Sequence, residues 1–488
     1  MDDTKQKVFS GLIWTYGERI LAQLVSLIVT VVLSRILSPQ EYGIISLVLV
    51  FITLANVIVS DGFGNALIQK IGSDDVDFSS MLYFSVASGI ALYFVLFFSA
   101  PFIASYYDIP ELIPVVRVFS LKLPIASINS IQQAYVSKRM EFKKFFYATL
   151  IGTITSGIIG IFMAYRGFGV WALVAQYLTN SVMDTVFLAL TIGWKPKFVF
   201  SWDRVREMLG FAYRVLTVSM MMALYTNIRN LIIGKKFSVD DLSYTNKGQQ
   251  FPSLISTNIN TSLTKVLFPA ISGVQNDLSR VKSMTRRSIK VGTFLLSPML
   301  IGLAAVAPTF VSVILTDKWL PCVPYLRIMC VVYLLQPIQT ASLQAMKALG
   351  ESKIYLRLEI VRWIVGIIIL IASVMFFDSV YIVVLSALIA EIASTFINWP
   401  ANKKLLGYTY SEQLIDVIPP LAASLVMYFV IVAEEQIPLT KIILLFTKIL
   451  TGGLVYLILC KILKIDSLPY LSNTIKTFLK KIVKKGRK

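Results

Sequence analysis

Apolar residues occur along this chain in long runs, and polar residues gather in short intervals between them. A helix needs roughly 20 consecutive apolar residues to cross about 30 Å of hydrocarbon. Runs of that length lie near residues 11–34, 43–62, 80–100, 112–135, 145–165 and 168–191, then near 208–233, 248–270, 290–314, 322–346, 355–377 and 380–398. A last pair lies near 414–433 and 439–462. The pattern predicts an all-α polytopic membrane protein of about 14 transmembrane helices. Connections of about 20 residues at most leave no room for a catalytic domain outside the membrane. The first run is too long for a signal-peptide core and lacks a small-residue cleavage site, so it is expected to stay as the first span.

Laying residues 11–193 on 208–400 brings out an internal repeat. Ser38-Pro-Gln-Glu-Tyr42 parallels Ser238-Val-Asp-Asp-Leu242, and Ala100-Pro101 parallels Ala307-Pro308. Pro114-Val-Val-Arg117 parallels Pro324-Tyr-Leu-Arg327, and Leu123-Pro124-Ile parallels Gln336-Pro337-Ile. Four matches in one order at equivalent places mark duplicated units. Six spans per unit is an even number, so both units enter the membrane the same way round, related by a pseudo-twofold axis along its normal. The expected domains are a six-helix lobe over 1–196, an amphipathic elbow with a second six-helix lobe over 197–400, two further spans over 401–465, and a basic amphipathic tail over 466–488. In the elbow, Trp202, Val205, Met208 and Leu209 share a face opposite Asp203, Arg206 and Glu207, which suits a helix lying on the membrane surface. The alternative is that this segment simply begins the seventh span. In the tail, Ile475, Phe478, Leu479, Ile482 and Val483 keep helical spacing among lysines, a pattern that lies on anionic lipid.

Composition agrees with the periodicity. The chain is 56% hydrophobic and 15% charged, against about 25% charged in soluble domains. With the N-terminus in the cytoplasm, the even-numbered loops and the tails hold about 30 of the 46 Lys and Arg. The net charge of +19 therefore reflects topology and contact with anionic inner-leaflet lipid rather than nucleic acid, for which no reader domain is present. Three cysteines give no metal-ligand spacing, there is no histidine, and neither a P-loop nor a GxSxG motif occurs. No enzyme, cofactor or metal is implied. Transport energy is expected from a proton or sodium gradient, from the substrate's own, or from a partner.

Charges inside spans are costly and need partners or a wet cavity. Lys122 lies about ten residues into the fourth span, roughly 15 Å deep, and is the first candidate for a cationic cavity, against a structural pairing with a carboxylate. Arg19 is the second, beside Glu18. Arg214, Arg229, Arg117, Arg327, Lys247 and Lys265 lie nearer helix ends, where each alone can snorkel, but together they make the intermediate set more basic than acidic. That balance favours an anionic ligand such as phosphate. Glu18, Asp184 and Glu391 are the candidates for ion coupling, with pairing to a buried Lys or Arg as the alternative for Asp184 and Glu391. The eighth span is unusually polar, from Lys247-Gly-Gln-Gln-Phe-Pro252 through Thr264, so it is expected to line a cavity or pack at a core, with Pro252 breaking it. Gly152, Gly157 and Gly160 are expected to permit close helix contact.

Leu37-Ser-Pro-Gln-Glu-Tyr-Gly43, Asp61-Gly-Phe-Gly-Asn-Ala-Leu-Ile-Gln69, Arg139-Met-Glu-Phe142, Gly167-Phe-Gly-Val-Trp-Ala-Leu-Val-Ala-Gln176 and Val266-Leu-Phe-Pro-Ala-Ile271 resemble the Wzx-like oligosaccharide flippase (polysaccharide exporter) branch of the multidrug/oligosaccharidyl-lipid/polysaccharide exporter superfamily. The resemblance implies two six-helix lobes in a V, two added C-terminal spans, and alternating access that turns an undecaprenyl-pyrophosphate-linked oligosaccharide across the bacterial inner membrane. It implies other polysaccharide-assembly proteins as partners. The nearest rival is an ion-coupled drug antiporter of the same fold, which favours an acid-rich cavity; a membrane glycosyltransferase needs a larger outer loop with acidic residues.

Overall fold

The computed structural model describes residues 21–60, 62–473 and 476. Among them there is no strand. The chain divides by packing into two compact units, Met1–Ser243 and Tyr244–Lys488. The first contains α1 (Leu21–Ile36), α2 (Pro39–Ser60), α3 (Phe63–Gln69), α4 (Asp75–Tyr107), α5 (Leu112–Phe119), α6 (Lys122–Lys138), α7 (Phe142–Tyr165), α8 (Val170–Thr191) and α9 (Trp202–Lys236). Helix α10 (Val239–Ser272) begins in it and continues into the second unit, with α11 (Leu278–Ile314), α12 (Val323–Leu334), α13 (Gln336–Ala348), α14 (Ser352–Phe376), α15 (Val380–Leu406), α16 (Tyr410–Ala433) and α17 (Lys441–Ile462). Twelve spans among the described residues are long and apolar enough to cross a membrane. The described part of α1 is shorter, and α10 is too polar to be one of the twelve.

The repeated motifs build the same local devices twice. Each opens a helix with a capping box, in which side chains satisfy the N–H groups that a helix start leaves without partners. In the first unit the Ser38 N–H and hydroxyl donate to Glu41 Oε2 at 2.6 and 2.9 Å, and the Glu41 N–H donates back to Ser38 Oγ at 3.3 Å. Ser238 and Asp241 repeat the arrangement at 3.3, 2.7 and 3.0 Å. Both boxes lie in the first unit, where the start of α2 packs directly on the start of α10: a Cβ on Gly43 would stand 2.0 Å from the Val239 carbonyl oxygen.

The Ala-Pro and Pro-x-x-Arg motifs work as a pair. Proline has no N–H, so Pro101 leaves the Phe97 carbonyl, four residues earlier, without its helical donor. Arg117 on α5 supplies one, its Nε donating to Phe97 O at 3.3 Å while the guanidinium lies 4.4 Å from the Phe97 ring centre. In the second unit Pro308 frees the Ala304 carbonyl, and Arg327 Nε donates to it at 3.2 Å. A third freed carbonyl, Phe294 O below Pro298, accepts the Tyr456 hydroxyl at 2.8 Å. Arg117→Met is expected to destabilise the protein by about 1–3 kcal/mol, the cost of a carbonyl left unsatisfied in lipid. The check is a thermal melt in detergent of the single variant against Pro101→Ala/Arg117→Met. Alanine restores the N–H at 101, so the double variant should lose less than the single one; equal loss would refute the capping role.

The fourth and tenth spans break at equivalent places, α5 into α6 ahead of Pro124 and α12 into α13 ahead of Pro337. The expected elbow takes another form. Residues 202–236 are one continuous helix, so the segment begins the seventh span. On its apolar face Val205 and Met208 are 0% and 3% exposed within a core that includes Phe63, Leu67, Phe78 and Trp194, while Trp202 is 53% exposed. Arg204 Nη1 lies 2.5 Å from Asp74 Oδ1 and 3.2 Å from Asp77 Oδ1, and its guanidinium holds the Asp74 carboxyl down at about 2. Lys70 bridges Asp77 and Glu207 at 3.2 and 2.8 Å. These ties place α9 with α2–α4, and the packing boundary accordingly falls after residue 243, one span beyond the repeat boundary at 196/197. The tail's apolar stripe from Ile475 to Val483 lies outside the described residues.

Candidate functional site

Lys122 is the first residue of α6, at the break in the fourth span. The turn is held by the Ser120 N–H to Val116 O at 2.9 Å and the Leu123 N–H to Ser120 O at 2.9 Å. The break sets a half-buried ammonium between aromatic faces, with Nζ 5.9 Å from the Phe119 ring centre and 5.5 Å from that of Tyr177 on α8. The carboxylate acting on it electrostatically is Asp184, two turns further along α8. Asp184 has room because α7 carries a glycine there: a Cβ at Gly152 would stand 2.2 Å from Asp184 Oδ1 and 3.3 Å from Asn180 Nδ2. The sequence suggests substrate for Lys122 and ions for Asp184, each with an opposite charge as the alternative partner; in the fold Asp184 lies within electrostatic reach of Lys122. A lysine compensated by ring faces and one carboxylate remains able to exchange them for a stronger anion.

The second unit holds a related lysine. Lys247 on α10 is 5% exposed, with Nζ 5.2 Å from the Trp319 ring centre and 3.4 Å from Gln250 Oε1. Beside it Gly248 lies against α12, where a Cβ would meet the Leu326 nitrogen at 2.8 Å. The polar residues of α10 divide between two faces. Ser256 and Asn260 donate to Gln336 Oε1 at 2.6 and 3.0 Å, and Gln249 donates to the Tyr333 hydroxyl at 3.0 Å, so one face packs against α12 and α13. Asn258, Ser262 and Lys265, at i, i+4 and i+7, are exposed and form a polar stripe that hydrocarbon does not accommodate. Pro252 does not break the helix, which runs unbroken from Val239 to Ser272.

Glu391 on α15 is within electrostatic reach of Glu359 and Arg362 on α14. Arg362 Nη1 donates to Glu359 Oε1 at 2.8 Å, both side chains being largely buried. Arg117 and Arg327 are engaged by the proline-freed carbonyls. Arg214 on α9 is exposed, its Nε 3.3 Å from the neighbouring Tyr213 hydroxyl, and Arg229 on the same helix is half-buried. Glu18 and Arg19 lie outside the described residues. The sequence reading missed Lys448, which is fully buried on α17, pairs with Glu435 and donates to Thr309 Oγ1 at 3.4 Å. Its signal was a lone lysine eight residues into an otherwise apolar run.

Comparison with known proteins follows the same lines. Residues 32–324 match the family described as polysaccharide biosynthesis protein. The lipopolysaccharide biosynthesis protein WzxC of Escherichia coli (strain K12) is 24% identical over 431 residues, 86% of this chain and 86% of that one. Teichuronic acid biosynthesis protein TuaB of Bacillus subtilis (strain 168) is 23% identical over 354 residues, 72% and 73% of the two chains. Among solved structures, the lipid II flippase MurJ in an inward closed conformation aligns with a TM-score of 0.77 at 17% identity, covering 94% of this chain and 100% of that one. An inward-facing multidrug resistance transporter of the MATE family aligns with a TM-score of 0.61 at 15% identity, over 79% and 94%. These likenesses establish the fold.

Proposed function

Because the chain belongs to the polysaccharide biosynthesis protein family and has the fold of the multidrug/oligosaccharidyl-lipid/polysaccharide exporter superfamily, we propose that it is a flippase for undecaprenyl-pyrophosphate-linked oligosaccharide. It is a multi-pass membrane transporter and not an enzyme. In this reading it works by alternating access in the bacterial cytoplasmic membrane, both termini in the cytoplasm as the basic loops imply. It turns the lipid from the inner to the outer leaflet. The observation that carries the reading is Lys122 at a broken helix in mid-span, set between the Phe119 and Tyr177 rings and within electrostatic reach of Asp184. A diphosphate displaces such weak partners because an ammonium is a strong point-charge site for phosphate oxygen. Returning Lys122 to Asp184 then assists release. In this reading the prenyl chain stays in lipid.

The test is transbilayer movement of a fluorescent undecaprenyl-pyrophosphate oligosaccharide in proteoliposomes under proton and sodium gradients. Movement well above empty liposomes is expected. None, with several glycans and with folded protein in the bilayer, would sink the proposal. The Glu359–Arg362–Glu391 group supports proton coupling: with both carboxylates ionised it carries one excess negative charge, which one proton neutralises. Glu391→Gln is expected to leave gradient-free movement near the wild-type rate and to abolish acceleration by a proton gradient; undiminished acceleration would remove Glu391 from the coupling step.

A further inference from the structure

In the second unit a cavity of about 640 Å³ opens beside the first turns of α11, facing the segment from Asp466 to Tyr470. One stripe of α11 lines it. Lys282, Arg286, Arg287 and Lys290, with Ser279 and Ser283 interleaved, stand at helical spacings of three and four and so share a face. These cations are held in place from behind. Arg286 forks onto the buried carboxylate of Asp416, with Nε 2.7 Å from Oδ2 and Nη2 2.9 Å from Oδ1. Asp416 is steadied in turn by the Tyr408 hydroxyl at 2.9 Å. Lys282 pairs with Glu412 at 2.9 Å, and Lys290 lies 3.2 Å from Asp466 and 3.5 Å from Asp416.

Ion pairing explains Lys282 and Arg286, which tie α11 to α16. It leaves Arg287 unaccounted for. That residue is exposed, its guanidinium is 4.9 Å from the Tyr470 ring centre, and among the described residues it makes no ion pair. The positive-inside rule accounts for the number of basic residues here but not for a preorganised hollow. Guanidinium, ammonium and hydroxyl donors converging on an open volume form the donor set for a phosphate ester, and the volume falls within the range of small-molecule sites. We infer that this cavity binds an anionic phosphate group, with Arg287 and Lys290 as direct contacts and Arg286 fixed behind them by Asp416. The site is distinct from the Lys122 group, and its existence does not depend on what the protein transports.

Three sources share this chemistry: an anionic phospholipid, a polyprenyl pyrophosphate, and a soluble phosphate. Native mass spectrometry of the full-length protein in detergent separates them, using phosphatidylglycerol, undecaprenyl pyrophosphate and inorganic pyrophosphate, with phosphatidylcholine as the zwitterionic control. Arg287→Gln removes no ion pair, so it should fold as wild type, which a melting curve verifies; Lys290→Gln is the second variant. At least one of the three phosphate probes is expected to bind wild type about tenfold more tightly than R287Q, the loss of one charge-assisted hydrogen bond. Phosphatidylcholine should not distinguish them. A difference confined to phosphatidylglycerol makes a membrane phospholipid the ligand. One confined to undecaprenyl pyrophosphate makes it a carrier lipid, and one seen equally with inorganic pyrophosphate makes it a soluble anion. Equal binding of all four compounds by wild type, R287Q and K290Q would overturn the inference.

Discussion

Gly43→Val is expected to eliminate the folded protein. The two capping-box turns meet at this position, and even a Cβ would sit 2.0 Å from the Val239 oxygen and 2.6 Å from its carbonyl carbon. Overpacking a close-packed site commonly costs about 1–3 kcal/mol. Here the obstacle is backbone at the first turn of α10, which cannot rotate away, so the cost should reach about 3 kcal/mol or more, a large part of a typical folding free energy. Fluorescence-detected size exclusion of a tagged protein in mild detergent should show the monodisperse peak reduced for Gly43→Ala and absent for Gly43→Val. The control is Gly453→Ala, where a Cβ meets nothing within 4 Å and helix propensity improves. A monodisperse Gly43→Val protein would mean that the starts of α2 and α10 do not pack as described.

For Lys122→Ala the expected result is a fall of about tenfold to a hundredfold in the initial rate of head-group movement, corresponding to one charge-assisted contact of roughly 1.5–3 kcal/mol. Lys122→Arg should recover part of it, since the charge is kept and only the geometry differs. The opposite sign is expected at Asp184. Asp184→Asn removes the carboxylate that competes with phosphate for Lys122, so the lipid should bind more tightly while turnover slows because release loses its assistance. Equilibrium binding and initial rates measured on the same preparations check both. Unchanged transport in Lys122→Ala with normal folding would remove this lysine from the pathway; weaker lipid binding in Asp184→Asn would reject the exchange of partners.

Much of this arrangement is readable in the chain because membrane solvation is a strong local constraint. Long apolar runs locate the spans, although helices such as α4 (Asp75–Tyr107) extend beyond the run at 80–100 because nothing obliges a helix to stop at the hydrocarbon boundary. The repeat motifs looked weak singly and proved to be capping boxes, proline-freed carbonyls and their arginine donors. What depth alone did not reveal is the partner. Arg117 and Lys122 are five residues apart in one span, yet the first serves a backbone oxygen of α4 and the second faces Tyr177. An Ala-Pro 16 residues before Arg117 and another 19 before Arg327 were the readable signs, once Pro−4 carbonyls are counted. The elbow stripe is ambiguous for a related reason: an amphipathic stripe states that one side is buried, and lipid and protein satisfy it equally.

Helix α10 has a consequence for how the protein is made. It is too polar to enter lipid on hydropathy alone, and its Ser256 finds its acceptor at Gln336, 80 residues later in the chain. At about 5–20 residues per second, the ribosome delivers that acceptor some 4 to 16 seconds after Ser256 itself. During this interval the helix needs a protected place beside the insertion machinery, and synthesis stalled between residues 272 and 336 should leave it the first segment exposed to membrane quality-control proteases.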